Sequence, residues 1–272
     1  MKIRLFLVMG LLCLMSSQSF ALSFMGPPTA ELEPAQYKIA YIYSYSIQDL
    51  DKVTQDWLMI SDGTVTSSGE SQVRLEDFSV QRHYVGFNAG VTNWWEIYLR
   101  LGLSDVKSDI HLFDDEQKIS YNFDNDFAWG WGTKITFKKS DTVAWGVSLN
   151  MNWLDDTSVT KTEDISESGP WRDKVSIDTY DTLLAVGPTV DMGGWKLYGG
   201  PFYYRFDGDY LRERNFFELN SIEREEATLE EDGSFGAFVG AVVDLAEKSD
   251  LTAELSFTSE GWAAGAGIAQ KF

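Results

Sequence analysis

Ten separate stretches of this 272-residue chain place a bulky apolar side chain at every second position, and that spacing is the strongest constraint on its fold. Tyr37, Ile39, Tyr41, Tyr43 and Tyr45 open the series, followed by Val85, Phe87, Ala89 and Val91, then Trp95, Ile97, Leu99, Leu101 and Leu103. Next come Trp129, Trp131, Thr133, Ile135 and Phe137, and Val143, Trp145, Val147, Leu149, Met151 and Trp153. Leu184, Val186 and Val190 mark a sixth stretch, Tyr198, Phe202 and Tyr204 a seventh, and Phe235, Ala237, Val239, Ala241 and Val243 an eighth. Leu251, Ala253, Leu255 and Phe257 form the ninth; Trp262, Ala264, Ala266, Ile268 and Phe272 form the tenth. A period of two is that of a β-strand with unlike faces, because successive side chains point to opposite sides of the sheet.

The connections alternate as well. Thr92-Asn93-Trp94, Lys139-Ser140-Asp141, Asp191-Met192-Gly193-Gly194 and Glu247-Lys248-Ser249-Asp250 have the length of tight hairpin turns. The other connections are long and acid-rich, covering about Gln48 to Ser79, Asp105 to Asn125, Leu154 to Asp178 and Asp207 to Gly233, apart from a short Thr258 to Gly261. Between Asp207 and Asp232 there are ten acidic and three basic residues. The formal charge of −20 argues against a nucleic-acid partner, and 14% aromatic residues argue against a disordered polyanion.

The beginning of the chain reads as an export signal. Lys2 and Arg4 precede the apolar run Leu5 to Met15, and Ser19-Phe20-Ala21 supplies small residues at a cleavage site, so residues 1–21 are expected to be removed. The only cysteine, Cys13, lies within that signal, which leaves the exported chain without disulfides. Residues 22–34 are expected to be a periplasmic segment and 35–272 one barrel domain.

Strands of this length cross a hydrocarbon core when tilted, and in lipid they must close on themselves so that no backbone edge is left unpaired. The alternating strands, the turn Gly90-Val91-Thr92-Asn93-Trp94-Trp95-Glu96 and the final Phe272 resemble a Gram-negative-type outer-membrane β-barrel. The resemblance implies an all-β, antiparallel up-and-down transmembrane β-barrel of ten strands in the outer membrane, with short periplasmic turns and long acidic extracellular loops. It also implies that the last strand pairs with the first and that Phe272 is part of the signal read by the barrel-assembly machinery. A soluble β-sandwich or lipocalin-like barrel is the alternative, with the apolar face turned inward.

Trp and Tyr are expected at the two interfaces: Trp94, Trp95, Trp145 and Trp195 near the short turns, and Tyr43, Tyr45, Trp129, Trp131, Trp153 and Tyr204 near the loops. With the bulky positions facing lipid, Lys38, Arg82, Glu96, Arg100, Lys134, Asp181, Arg205, Asp244, Glu254 and Lys271 point inward. Such enclosed charges require partners. They make either a salt-bridged filling, which leaves a structural or surface-interaction role, or a narrow porin-like path for ions and small solutes. Ten strands leave too little room for a wide pore.

Catalysis has a thin vocabulary here. Omptin-like outer-membrane proteases use acidic pairs and an Asp-His unit, which Asp109-Ile110-His111 and Asp124-Asn125-Asp126 echo, but both fall in or beside one loop. His83 is not accompanied by a nucleophile motif, so no enzyme activity and no cofactor are expected. Glu225-Glu226, Glu230-Glu231-Asp232 and Asp114-Asp115-Glu116 could bind hard cations without matching a defined calcium loop. The expected surroundings are membrane lipid and lipopolysaccharide, the latter bridged to the acidic loops by divalent cations.

Overall fold

The computed structural model describes residues 23–112, 117–123, 125–163, 170–259 and 261–272. The expected signal peptide, Asp114-Asp115-Glu116 and Asp124 lie outside the described residues. The strands are β1 (Tyr37–Ser61), β2 (Thr64–Thr92), β3 (Trp95–Leu112), β4 (Gln117–Asn122), β5 (Asp126–Lys139) and β6 (Val143–Glu163). They continue as β7 (Trp171–Asp191), β8 (Trp195–Phe216), β9 (Ser221–Ala246), β10 (Ser249–Phe257) and β11 (Gly261–Lys271). Each strand pairs antiparallel with its neighbour, and β11 pairs with β1 from Gln48↔Gly261 to Lys38↔Lys271, which closes the ring. Strands β4 and β5 occupy successive heights along β3, β5 facing Trp95 to Ser104 and β4 facing Lys107 to Leu112. They count as one wall strand, and the barrel has ten.

The stretches expected to be long acidic loops are instead continuations of the strands. Strand β1 runs for 25 residues, β2 for 29 and β9 for 26, all far longer than a bilayer crossing needs. The barrel therefore projects well beyond the membrane. Strands β10 and β11 stop short, at a turn between Phe257 and Gly261, and above it β1 pairs directly with β9 from Gln55↔Ala227 to Ser61↔Ser221.

Strand β7 shows how one alternating pattern serves two solvents. Near the membrane its outward positions are Tyr180, Leu184, Val186 and Val190; farther out they become Arg172, Lys174 and Asp178. The inward positions shift less cleanly, from Asp181 and Thr189 with the apolar Leu183 and Ala185 between them to Ile177 and Val175 with Asp173 above, all buried. Apolar groups leave water by facing lipid in the lower half and by facing each other in the upper half. The same change occurs on β3, where exposed Leu99, Leu101 and Leu103 give way to Asp105 and Lys107. The barrel is thus inverted within the bilayer and conventional outside it, and the lipocalin-like packing weighed above survives in the projecting half alone.

Candidate functional site: the filled lumen

The segment from Ser23 to Glu33 lies inside the barrel and not in the periplasm. Ser23, Phe24, Met25 and Thr29 are all buried, and Ala35 N–H closes the segment by donating to the Gly90 carbonyl at 3.0 Å. Pro27 and Pro28 have no N–H to donate, which suits a stretch that joins no ladder. The remaining backbone donors must still be satisfied away from water. Met25 N–H and Gly26 N–H each donate to the Glu254 carboxylate at 2.8 Å, Glu31 N–H donates to Glu96 at 2.9 Å, and Ala30 N–H to the Thr136 hydroxyl at 2.9 Å.

Side chains complete the seat. Asp181 accepts from Arg82 at 3.0 Å, from Asn152 at 2.8 Å and from the Ser23 hydroxyl at 3.0 Å, so three strands and the segment meet on one carboxylate. Glu31 pairs with Lys196 at 2.7 Å and Lys38 at 3.4 Å. Arg100 donates to the Phe24 carbonyl at 2.6 Å while its guanidinium lies over the Tyr98 ring, 4.7 Å from the centroid. Tyr198 hydroxyl donates to Glu254 at 3.0 Å. The wall is hollowed to receive the segment: a Cβ at Gly265 would overlap the Phe24 ring, and one at Gly146 would come within 2.5 Å of the Pro28 carbonyl. We expect Gly265→Leu to destabilise the folded barrel by about 1–3 kcal/mol through overpacking, measured by urea unfolding in detergent.

Most of the charges expected to face inward do so. Lys38, Arg82, Glu96, Arg100, Lys134, Asp181 and Glu254 are buried, and Lys271 is half-buried against Asp250 at 3.4 Å. Two expectations are corrected. Asp244 is exposed near the β9–β10 turn. Arg205 points outward and pairs with Asp207 at 2.7 Å, because Tyr204 takes the inward position beside it. The cause is the face assignment on β8: Tyr198, Phe202 and Tyr204 all point into the lumen, where Gly240 and Gly236 of β9 leave room for the Tyr198 and Phe202 rings. Tyr204, expected in the interfacial girdle, is therefore fully enclosed. The other girdle residues are on the outside. Trp94, Trp131 and Trp145 are exposed; Trp95, Trp129, Trp153, Trp195, Tyr43 and Tyr45 are half-buried, with Trp129 stacked on Trp153 at 4.3 Å. Phe272 points outward while its backbone N–H donates to the Tyr37 carbonyl at 2.9 Å.

A second buried network caps the projecting half and was not expected. Arg212, 1% exposed, donates to Glu225 at 2.9 Å and to Asp173 at 3.2 Å. Arg214 donates to Asp173 at 2.7 Å, Tyr121 does so at 2.7 Å, and the Arg214 guanidinium lies 4.3 Å from the centre of the Trp171 ring. Below it Phe78, Val80, Val106, Phe123, Ile177, Phe206 and Leu229 form an apolar core. Glu225, considered above as a cation ligand, is thus committed to Arg212, and Glu226 pairs with Arg224 at 2.6 Å. The side chains of Glu230, Glu231, Asp232 and His111 lie outside the described residues, and Asp109 sits half-buried on β3. His83 faces outward between Tyr41, at 2.7 Å, and Gln81, at 3.2 Å.

Burial alone would raise the Asp173 carboxyl, but hydrogen bonds from Arg214 and the charges of Arg212 and Arg214 outweigh it and hold the group below its ordinary value. A carboxyl depressed in the folded state adds stability above its unfolded pKa of about 3.9 and loses that contribution as pH falls through the folded value. The projecting hairpins are accordingly expected to resist pepsin at the unfolded carboxyl's pKa of about 3.9 and to open only at more acid pH, as Asp173 protonates; Asp173→Asn should abolish that acid step.

No family model matches the chain, and no curated protein matches it significantly. Among solved structures it is similar to the outer membrane protease OmpT from Escherichia coli, at 10% identity and a TM-score of 0.50, over 93% of this chain and 99% of that one. The fold is that of an outer-membrane β-barrel. The apolar belt around its lower half is what that location requires. The toluene transporter TbuX of Ralstonia pickettii is similar at 9% identity and a TM-score of 0.45, covering 88% of this chain and 90% of that one. OprG from Pseudomonas aeruginosa, also at 9% identity, has a TM-score of 0.42 over 88% of this chain and 97% of that one. At 10% identity the likeness carries the architecture and not an activity.

Proposed function

We propose that this barrel is closed along its axis and serves the cell envelope through its projecting hairpins, in a structural or surface-interaction role. The observation that supports the reading is the seating of residues 23–33 across the lumen on Glu254, Asp181, Glu96 and Thr136. A pore lined by ions would leave those carboxylates to water. Here they accept backbone donors of the chain itself, and the space above is filled by Tyr84, Tyr204, Phe206 and the core they join. The reading assigns no catalysis to the barrel.

Single-channel recording of the purified barrel in planar bilayers tests it. Baseline current without steady steps is expected across the usual range of applied voltage. Steady openings of the full chain, shifting in size or selectivity when Arg100 or Glu96 is neutralised, would establish a narrow channel in place of the closed barrel.

A further inference from the structure

The wall of the barrel is not equally bonded all the way round. Strands β1 and β2 form the ladder pair Tyr37↔Ala89 near the periplasmic end and resume pairing at Leu50↔Leu75, and among the described residues no ladder pair joins them in between. Over the same height β1 pairs continuously with β11, and β2 pairs with β3 from Ser79↔Lys107 to Gly90↔Glu96. Tyr37 exchanges both backbone bonds with Phe272, so odd-numbered residues of β1 address β11 and even-numbered ones, from Ala40 to Ser46, address β2. The gap therefore faces one way only.

Side chains replace part of the missing ladder. Ser46 hydroxyl donates to the Val80 carbonyl at 3.2 Å, a backbone acceptor that a strand partner would otherwise occupy. On the outer surface Tyr41 bonds His83 at 2.7 Å, and the Tyr43 and His83 rings lie 5.1 Å apart. The strands remain adjacent: a Cβ placed on Gly86 would stand 3.4 Å from Ile42 Cδ1 and 3.8 Å from the Ala40 Cβ. Unpaired backbone groups are costly in hydrocarbon, so a bilayer-spanning wall with such a stretch is weakest there.

We propose that β1 and β2 form a lateral gate between the lumen and the bilayer, held shut by the Ser46–Val80 and Tyr41–His83 contacts and not by a β-ladder. Its outer side meets hydrocarbon, and between Lys38 at one end and Ser44, Ser46 and Arg82 at the other its inner side carries an apolar patch of Ala40, Ile42 and Tyr84, in one cluster with Phe24 and Met25 of the seated segment. The molecule it admits is therefore an acyl chain of the surrounding lipid and not an aqueous solute. Axial closure is untouched by this, since a barrel silent to ions can still part sideways.

Hydrogen exchange resolved to single amides, on the barrel in lipid nanodiscs, reads the gate directly. Amides of Ala40, Ile42 and Ser44 on β1, and of Arg82, Tyr84 and Gly86 on β2, are expected to exchange at least tenfold faster than those of Ser148, Asn150 and Leu183 in the β6–β7 ladder. Equal protection on the two walls would overturn the proposal. The exported chain is free of cysteine, so Ala40→Cys with Gly86→Cys gives an unambiguous cross-link at a Cβ separation suited to a disulfide. Oxidation should restore protection. In nanodiscs carrying photoactivatable acyl chains, adducts are expected on the inward residues Ala40 and Ile42 and should vanish in the oxidised double variant. Adducts confined to the outward Tyr41, Tyr43, Val85 and Phe87 would show that no chain enters.

Discussion

A barrel lacking residues 23–34 is expected to conduct where the full chain is silent. The segment contributes two backbone donors to Glu254, one to Glu96 and one to Thr136, and it brings Ser23 to Asp181 and Glu31 to Lys196 and Lys38. A hydrogen bond to a charged group contributes about 1.5–3 kcal/mol, so the seat is held by several such bonds and no single one decides it. Glu254→Ala should therefore leave the segment in place and give at most brief openings, because Glu96, Asp181 and Thr136 still hold it. Deletion removes every contact together. Water then enters to hydrate Glu254, Glu31's former partners Lys38 and Lys196, and Arg100, whose acceptor on Phe24 is gone. Steady current steps that reverse when the segment is added back as a peptide would establish it as the closure. A deletion variant as silent as the full chain would show that Tyr98, Tyr198, Phe202 and Tyr204 close the lumen unaided.

How much of this was readable beforehand differs by element. The transmembrane strands were, because lipid on one side and a polar lumen on the other force unlike faces, and Ile97 to Leu103 shows that alternation in one dimension. The projecting hairpins were not. Trp171 to Asp178 alternates just as strictly, with Asp173, Val175 and Ile177 inward, but its outward Arg172, Lys174 and Asp178 made the composition read as loop, and on the facing strand a register shift between Leu154 and Thr157 breaks the period before Val159. The inversion itself leaves no mark in the period, since the pattern is still two and only the side that is apolar changes. On β8 bulky residues occupy both faces, and the deciding feature, Gly236 and Gly240, belongs to the neighbouring strand. Pairing across strands is not visible in one strand's sequence. The lumen charges followed from the strands, whereas Glu31 was missed because Pro27-Pro28 and the lack of alternation made its segment look like a tether. Asp250 was read as part of a turn. Asp173, Arg212 and Glu225 were hidden among acid-rich residues, where a buried ion pair and a solvated one have the same composition.

That hidden network carries the second large effect. Arg212→Ala should lower the local stability of the projecting half by about 3–5 kcal/mol, because it leaves buried carboxylates without their cation. The loss falls unequally. Asp173 keeps Arg214 and Tyr121, whereas Glu225 loses both of its bonds to Arg212. Replacing the pair together, Arg212→Met with Glu225→Leu, should cost far less than the single change, since apolar side chains of similar bulk suit the Phe78 and Phe206 core beneath and no charge is stranded. Hydrogen exchange over 171–178 and 210–227 measures both variants, with the β6–β7 ladder near Asn150 as an internal reference that neither should disturb. If Arg212→Ala left that exchange unchanged, the guanidinium would be a passenger in a hairpin held by its ladders alone. A single variant worse than the double would show instead that the charge is kept because its partners cannot be left without it.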